Sequence, residues 1–355
     1  MKLSDLFTAH SIALHREEIA SNRVPYLGEQ FFPAEKKLGI DLEWIRAYKG
    51  LGVALAPAAF DALATIRPRE GVSVTQTKMP FFRESMKVDE KDMIEIMRVE
   101  DSGDPFAQEV LRHVYDDANT LIDGAEIVAE IMRMSLLSAQ GGVPGISFTG
   151  KDNVVYNYNY DPTGSWATDH YMPIVSAADK WNASTAKALD DINTGKKFLQ
   201  GKGYAPTQMI MNSTTWGYLL NNQQIKDAIV SLSGTAVTYV NDTIVSDIVR
   251  AATKLDTLVY DKQYKNYAGT ATKFYPDGYV TIIGEPNLGR TFYGTTPEER
   301  TLIGNPSVNV SMVEPGIAVT VKEDYGPPVL ASTTVSQIVL PSYEGMDGVY
   351  VMKVY

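Results

Sequence analysis

One segment constrains this chain more than any other. Across residues 104–142, apolar or small side chains recur at Leu111, Val114, Ala118, Leu121, Ala125, Val128, Met132, Leu136 and Ala139, in alternating steps of three and four. That spacing keeps a single stripe on one face of an α-helix. Asp104 stands where an N-cap belongs, Pro105 suits a first helical position that needs no donor, and Gly141, Gly142 and Pro144 end the run. Roughly 35 residues at about 1.5 Å each make a rod about 50 Å long, more than a compact domain ordinarily needs. Such a rod is either a long core helix in an α+β enzyme or a spine across which a flat, extended molecule is built.

The remaining sequence narrows the choice by what it lacks. At 355 residues, with 44% hydrophobic and 21% charged, the chain has enough material for a large core and two or three subdomains. It contains no cysteine, so disulfides, thiolate metal sites and cysteine nucleophiles are excluded, and zinc would depend on four scattered histidines. The formal charge of −11 argues against a broad basic face that grips nucleic acid, because such binding runs on neutralising phosphates. Asp5, Glu17 and Glu18 interrupt the first apolar positions, unlike a signal peptide, and no window approaches 18 uninterrupted apolar residues. The expectation is a protein made and used in cytosol, with no membrane partner.

Ahead of the long helix lie two pieces that cannot stand alone. Residues 1–22 place Leu3, Leu6, Phe7, Ile12, Leu14 and Ile19 loosely on one helical side, an arm too short to be stable in water without docking. From Gly39 the period changes to two: Ile40, Leu42 and Trp44 alternate with Asp41 and Glu43, and later Val72 and Val74 with Ser73 and Thr75. Between them lie an alanine-rich piece, residues 53–64, and a turn at residues 68–71. A long two-stranded arm is barely stable by itself. Its rings, among them Trp44, Tyr48, Phe81 and Phe82, should therefore bury against this chain or against another subunit.

Behind the helix, residues 154–160 alternate tyrosine with asparagine and end at Asp161-Pro162, a hairpin signature. Helical pieces are expected over residues 174–181 and 185–199, a short strand over 209–211, and a helix opened by Asn212 or Ser213 that carries Trp216, Leu219 and Leu220. Strands at 257–260 and 279–283 complete a compact α+β subdomain. The last fifty residues return to period two around residues 318–321, 335–340 and 349–354. They predict a sheet that completes the region around the long helix, with the middle of the chain inserted into it.

No catalytic constellation emerges, and no cofactor or metal is expected. His10, His15, His113 and His170 form no His-x-x-x-His pair, and His113 near the apolar stripe reads as a packed or capping residue. Neither phosphate-cradling glycine motif occurs. Asp190-Asp191 and Asp116-Asp117 are adjacent helical pairs that point apart and suit a solvated face. The 20 tyrosines are spread as in a protein that makes extensive interfaces, where one end of the ring is dry and the other wet.

The order of arm, strand-rich loop, long helix, hairpin, inserted α+β subdomain and returning sheet resembles the capsid fold named after phage Hong Kong 97. Three stretches resemble the phage lambda major capsid protein E family. They are Gly50 to Pro57 (GLGVALAP), with Ile66-Arg67 and the strand over residues 75–80; Pro206 to Leu220 (PTQMIMNSTTWGYLL); and residues 279–299, with Gly289 to Gly294 (GRTFYG) before an acidic turn.

The resemblance implies a non-enzymatic shell subunit: N-terminal arm 1–35, extended loop 36–92, peripheral domain 93–170 with the spine helix, axial domain 171–305, and a peripheral C-terminal sheet 306–355. Many copies would form pentamers and hexamers of an icosahedral head around double-stranded DNA that the acidic subunit touches weakly. Scaffold, portal and decoration proteins are the implied partners, the virion is the destination, and the host bacterial cytoplasm is the place of assembly. No fused scaffold is expected, since the sequence leads quickly into the arm. Trp44, Tyr48, Phe81 and Phe82 are the implied inter-subunit contacts. Covalent cross-linking, known in one branch of the fold, finds Lys49 and Lys78 in the loop region but no receiver paired with them. The alternatives are an encapsulin-like compartment around an enzyme cargo, and an α+β enzyme with carboxylate chemistry assembled from distant residues.

Overall fold

A computed structural model describes residues 8–20, 25–46, 73–88, 105–149, 155–233, 241–266, 269–304, 310–313, 316–324 and 330–355. Along the chain come helices α1 (Ala9–Ala20) and α2 (Leu27–Phe31), then strands β1 (Ala34–Lys36), β2 (Asp41–Arg46), β3 (Ser73–Lys78) and β4 (Phe81–Val88). The long helix α3 (Pro105–Ser138) follows, then β5 (Gly145–Thr149), β6 (Val155–Asn159), α4 (Ser165–His170) and β7 (Tyr171–Pro173). Next are α5 (Ala188–Gly201), β8 (Gln208–Met211), α6 (Ser213–Asn221), α7 (Gln223–Ser233), α8 (Asp242–Thr253) and β9 (Asp256–Val259). After β10 (Gln263–Lys265), β11 (Ala271–Lys273), β12 (Tyr279–Ile283) and β13 (Thr291–Tyr293) come α9 (Pro297–Gly304), β14 (Val310–Val313), β15 (Ile317–Asp324), β16 (Leu330–Pro341) and β17 (Val349–Lys353). The fold is α+β.

Helix α3 has 34 residues and starts at Pro105, as its sequence predicts, with the expected cap Asp104 outside the described residues. Of its stripe, Ala118, Leu121, Ala125, Met132 and Leu136 are buried and Val128 is half-buried, while the side chains of Leu111, Val114 and His113 lie outside the described set. The chain leaves the helix through left-handed backbone at Ala139, Gly141 and Gly142. At Gly142, with φ +80°, a Cβ would lie 2.8 Å from the Tyr171 ring, so both backbone and space require glycine.

The chain divides into two units. The first comprises Met1–Glu43, Gln76–Arg133 and Arg290–Ser342. Its sheet runs β1-β13-β16-β15-β14, with β4 also on β16 in antiparallel register from Phe81 opposite Ile338 to Val88 opposite Ala331. Ala9 and Ile12 of α1 and Ala118, Leu121, Ile122 and Ala125 of α3 pack with Ile317, Val319, Val321 and Val335 of that sheet. The arm helix thus docks on its own chain, each fully buried aliphatic side chain contributing about 1.5–3 kcal/mol. Ile12 faces inward, but Leu14, expected on the same side, is 53% exposed, because a step of two residues turns about 200° around a helix. Leu3, Leu6 and Phe7 lie outside the described residues.

The second unit comprises Trp44–Thr75, Met134–Gly289 and Tyr343–Tyr355. Its sheet runs β7-β17-β12-β8-β9 over a core built from Trp181, Leu189, Ile192, Trp216, Leu219, Val245 and Val249 among others. Asn212 caps α6, its side chain accepting from the Thr215 amide at 2.9 Å, as its sequence predicts.

Three local expectations are corrected here. β17, expected in the sheet around the long helix, lies between β7 and β12 of the second unit's sheet. β12 is buried at every residue and needs a partner on each edge, a demand that period-two alternation in β17 does not reveal. Residues 174–181 are not helical: the Ile174 and Trp181 amides donate to Lys353 and Val354 carbonyls at 2.8 and 3.1 Å, and this pairing with a distant strand overrides local propensity. Finally, β6 pairs with β5, so Asp161-Pro162 ends the hairpin rather than turning it. Asp161 Oδ2 instead accepts from the Trp166 and Ala167 amides at 2.8 and 3.3 Å, opening α4.

Candidate functional site: the assembly surfaces

The extended segment after α2 supplies three of the four aromatic residues expected at contacts. In β2, Leu42 and Trp44 are buried on one side, as their alternation predicts, and Asp41 and Glu43 are exposed on the other, while Ile40 just before the strand is 43% exposed. The Trp44 indole lies 5.1 Å from the Tyr160 ring of its own chain at an interplanar angle of 31°. Its dry face is therefore satisfied intramolecularly. Phe81 opens β4 and is 39% exposed, with the Arg83 guanidinium 4.7 Å above its ring. Arg83 also pairs with Glu298. Phe82, on the opposite face of the strand, is half-buried opposite Gln337. Tyr48 lies outside the described residues, as do Lys49, residues 50–57, 66–67 and the alanine-rich piece.

β4 carries a run of exposed side chains: Phe81, Arg83, Glu84, Ser85, Met86 and Lys87 are all exposed in the single chain. Leu38 before β2 is 85% exposed. Exposed apolar side chains grouped along one extended segment mark an interaction surface more than scattered ones do.

A polar cluster anchors β2 at its end. Arg46 makes a two-pronged ion pair with Asp347, Nε to Oδ2 at 2.9 Å and the second nitrogen to Oδ1 at 2.5 Å. His170 Nε2 stands 3.9 Å from Asp347 Oδ1 and 3.4 Å from Lys202 Nζ, and its Nδ1 lies 2.8 Å from the Val349 carbonyl. A carbonyl only accepts, so Nδ1 carries the proton and Nε2 is the acceptor facing Lys202. The ring is stacked on Trp166 and edge-on to Phe198. Burial pulls the His170 pKa below its ordinary value, and Lys202 acts in the same direction against the Val349 carbonyl and the two carboxylates. The hydrogen bond from Lys202 lowers the Asp169 pKa. Sequence reasoning missed this cluster because its members come from four distant stretches, and no spacing announces them.

In the first unit, two buried cationic side chains tie other elements to α3, Arg16 from α1 and Arg133 from α3 itself. Arg16 of α1 reaches Asp123 at 2.6 Å and Glu126 at 2.8 Å. Arg133 donates to Thr291 Oγ1 at 2.9 Å and lies 3.4 Å from Glu130 and Glu29. These pairs fix where α1, α2 and β13 meet the helix.

Among the described residues no group of three or more His, Asp or Glu could hold a metal ion. Asp190 is exposed as expected for a solvated pair, but Asp191 is half-buried and accepts from the Trp181 indole at 3.0 Å, which corrects that expectation. Burial raises the Asp191 pKa. Asp116 is exposed, and the Asp117 side chain lies outside the described set. No helix among the described residues is long and apolar enough to cross a membrane. What the surface offers is contact area, ion-pair anchors and a groove of about 550 Å³ beside β9.

Comparison with known proteins gives these surfaces a context. A sequence model of the family described as phage major capsid protein E matches residues 14–315. No individually curated protein matches the chain. The fold is similar to a crystal structure described as a prophage capsid protein of E. coli CFT073, at TM-score 0.60 and 13% identity, covering 98% of this chain and 99% of that one. It is also similar to a phage-related protein from Bordetella bronchiseptica RB50, at TM-score 0.55 and 12% identity, covering 98% and 97%. A capsid chain of cyanophage A-1(L) matches at TM-score 0.51 and 10% identity, covering 99% and 95%.

Proposed function

This chain belongs to the phage major capsid protein E family, and from that premise we propose how it acts in a phage head. It is a major capsid protein of a tailed bacteriophage or prophage, it has the Hong Kong 97-type fold, and its place is the capsid of the virion, where it works as a homo-oligomer. The family match over residues 14–315 carries this conclusion.

In the proposed arrangement residues 1–35 are the arm and 36–92 the extended loop. Residues 93–170 with 306–341 form the peripheral region, and residues 171–305 with β17 form the axial one. Pentamers and hexamers close into an icosahedral shell, assembled in the host cytoplasm with scaffold and portal proteins and later any decoration protein. The exposed apolar and charged side chains of β4 and the exposed Leu38 and Ile40 support contact with neighbouring copies, Phe81 being the most open of the described aromatic contacts. Phe82 and Tyr48 belong to the same proposed surface. Trp44 acts there chiefly by holding the loop base against Tyr160.

The formal charge of −11 supports weak, non-specific contact with packaged double-stranded DNA, since a strongly basic wall would hold the genome immobile. The proposed role is structural, as the family match supports. Expression of the full chain followed by sedimentation and negative-stain microscopy tests the reading. Closed shells or capsomer rings support it, and a compact monomer at micromolar concentration overturns it.

A further inference from the structure

A closed ring of identical subunits needs a heterologous contact: two different faces of the same unit, one of which fits the other. The second unit's five-stranded sheet ends in two unlike edges, β9 on one side and β7 on the other. Four strand spacings of about 4.8 Å separate them by roughly 20 Å.

At the β9 edge lies the groove of about 550 Å³, lined by Trp216, Val259, Asp242, Asp247 and Asp261 among others. β9 pairs with β8 alone among the described strands, and Val259 is 45% exposed. Helices α6 and α8 both begin here, an arrangement that by itself favours anions. Three carboxylates reverse that preference. Asp261 accepts from the Ser213 amide and hydroxyl at 2.9 and 2.7 Å, and Asp242 from the Trp216 indole at 3.1 Å, so each is held in place by a neutral donor rather than by a cation. Asp247 forms no ion pair with a described residue. The groove therefore fits neither a phosphate nor, lacking a convergent ligand set, a metal ion. It fits an apolar side chain flanked by ammonium groups.

The opposite edge presents that combination. Val175, two residues beyond β7, is 82% exposed, more than all but one of the exposed large hydrophobic residues described. Lys353 lies opposite Pro173 in the register and is exposed, and the Ile174 amide donates to its carbonyl at 2.8 Å, which sets Lys353 beside Val175. Lys180 follows in the same turn, with Nζ 5.3 Å above the Tyr355 ring. Neither lysine forms an ion pair with a described carboxylate; Asp179 is the one acidic residue in this turn.

Resting on the shell reading above, we propose that the β7 edge of one copy docks into the β9 groove of the next: Val175 seats against Val259 and Trp216, and Lys353 and Lys180 face Asp247, Asp242 and Asp261. The contact is head-to-tail and repeats around a ring. Its opposite charges give register and its small apolar contact gives fit.

The absence of native cysteine makes a cross-linking test direct. The full-length double variant Val175→Cys/Val259→Cys, assembled and then bridged with a short bis-maleimide, should give a denaturing-gel ladder ending at pentamers and hexamers, while each single variant stays monomeric. Asp247→Lys should weaken ring formation about tenfold, as losing about 1.4 kcal/mol would, and Lys353→Asp in the same chain should restore it. Assembled particles without the ladder, or with no rescue by the reversed pair, overturn this docking while leaving the shell reading intact. A wild-type chain that forms no rings or shells overturns both.

Discussion

The amide of Gly28 donates to the carboxylate of Glu130 at 3.0 Å, and Glu130 is fully buried beside Arg133 on the long helix. A buried carboxylate persists only when its oxygens are satisfied. Here a backbone donor from α2 and a guanidinium from the next helical turn share that task. A Cβ on Gly28 would lie 2.5 Å from Glu130 Oε2 and 2.7 Å from Arg133 Cδ. Gly28→Ala should therefore push the ion pair apart and destabilise the folded chain by about 2–3 kcal/mol. Denaturant unfolding of unassembled subunits measures this, and an unchanged midpoint would show that the pair relaxes without loss.

Trp44→Ala separates two roles for the loop base. The indole is 7% exposed and packed on Tyr160, so truncation should cost about 3–5 kcal/mol in the unassembled subunit. Phe81→Ala, at a site 39% exposed, should leave the subunit melt within about 0.5 kcal/mol of wild type and lower particle yield instead. The reverse pattern, a stable Trp44 variant and an unstable Phe81 variant, would contradict the assignment of one to the fold and the other to the contact.

His170 gives the fold a definite pH sensitivity. Its folded-state pKa is depressed by burial, so the unfolded chain takes up a proton that the folded chain resists. Well above the ordinary value of 6.5 the ring is neutral in both states and contributes no pH slope. As pH falls below 6.5, stability should decline, levelling off only once the folded-state pKa is passed. Lys202, Arg46, Asp169 and Asp347 are the charged groups that face the ring or its partners. His170→Asn, which keeps a donor for the Val349 carbonyl, should flatten the decline between about pH 7 and pH 5. Equal slopes for variant and wild type would assign the pH dependence to other groups.

Much of this architecture is legible in the chain because it is encoded locally. The long helix announces itself through Pro105 and its three-four stripe, β12 through its bounds at Tyr279 and Ile283, and α6 through the Asn212 cap. What is not legible depends on partners far along the chain. The Trp181 segment reads as a helix until Val354 claims its amide, and Asp191 reads as solvated until the Trp181 indole reaches it. The cluster of Arg46, His170, Lys202 and Asp347 has no sequence period at all. Long-range pairing decides each of these, and single-sequence patterns carry only local energies.

β17 is the most consequential of these long-range pairings and can be tested by dissection. Residues 171–289 contain β7, β8, β9 and β12 with the helices between them, but the strand joining β7 to β12 is supplied by residues 349–353. Without it the whole inner edge of β12, from Tyr279 to Ile283, loses its antiparallel partner, and Tyr350, Met352 and Val354 leave the core. Losing three buried side chains of that size removes roughly 5–9 kcal/mol of apolar burial, comparable to the whole stability of an ordinary domain. A fragment of residues 171–289 should therefore show no cooperative melt. The same fragment joined to residues 343–355 through a flexible linker should melt cooperatively, since the added strand restores both neighbouring pairings. Circular dichroism melts of the two fragments decide the matter: cooperative unfolding of the shorter one would mean that the axial region closes its core without the C-terminal strand.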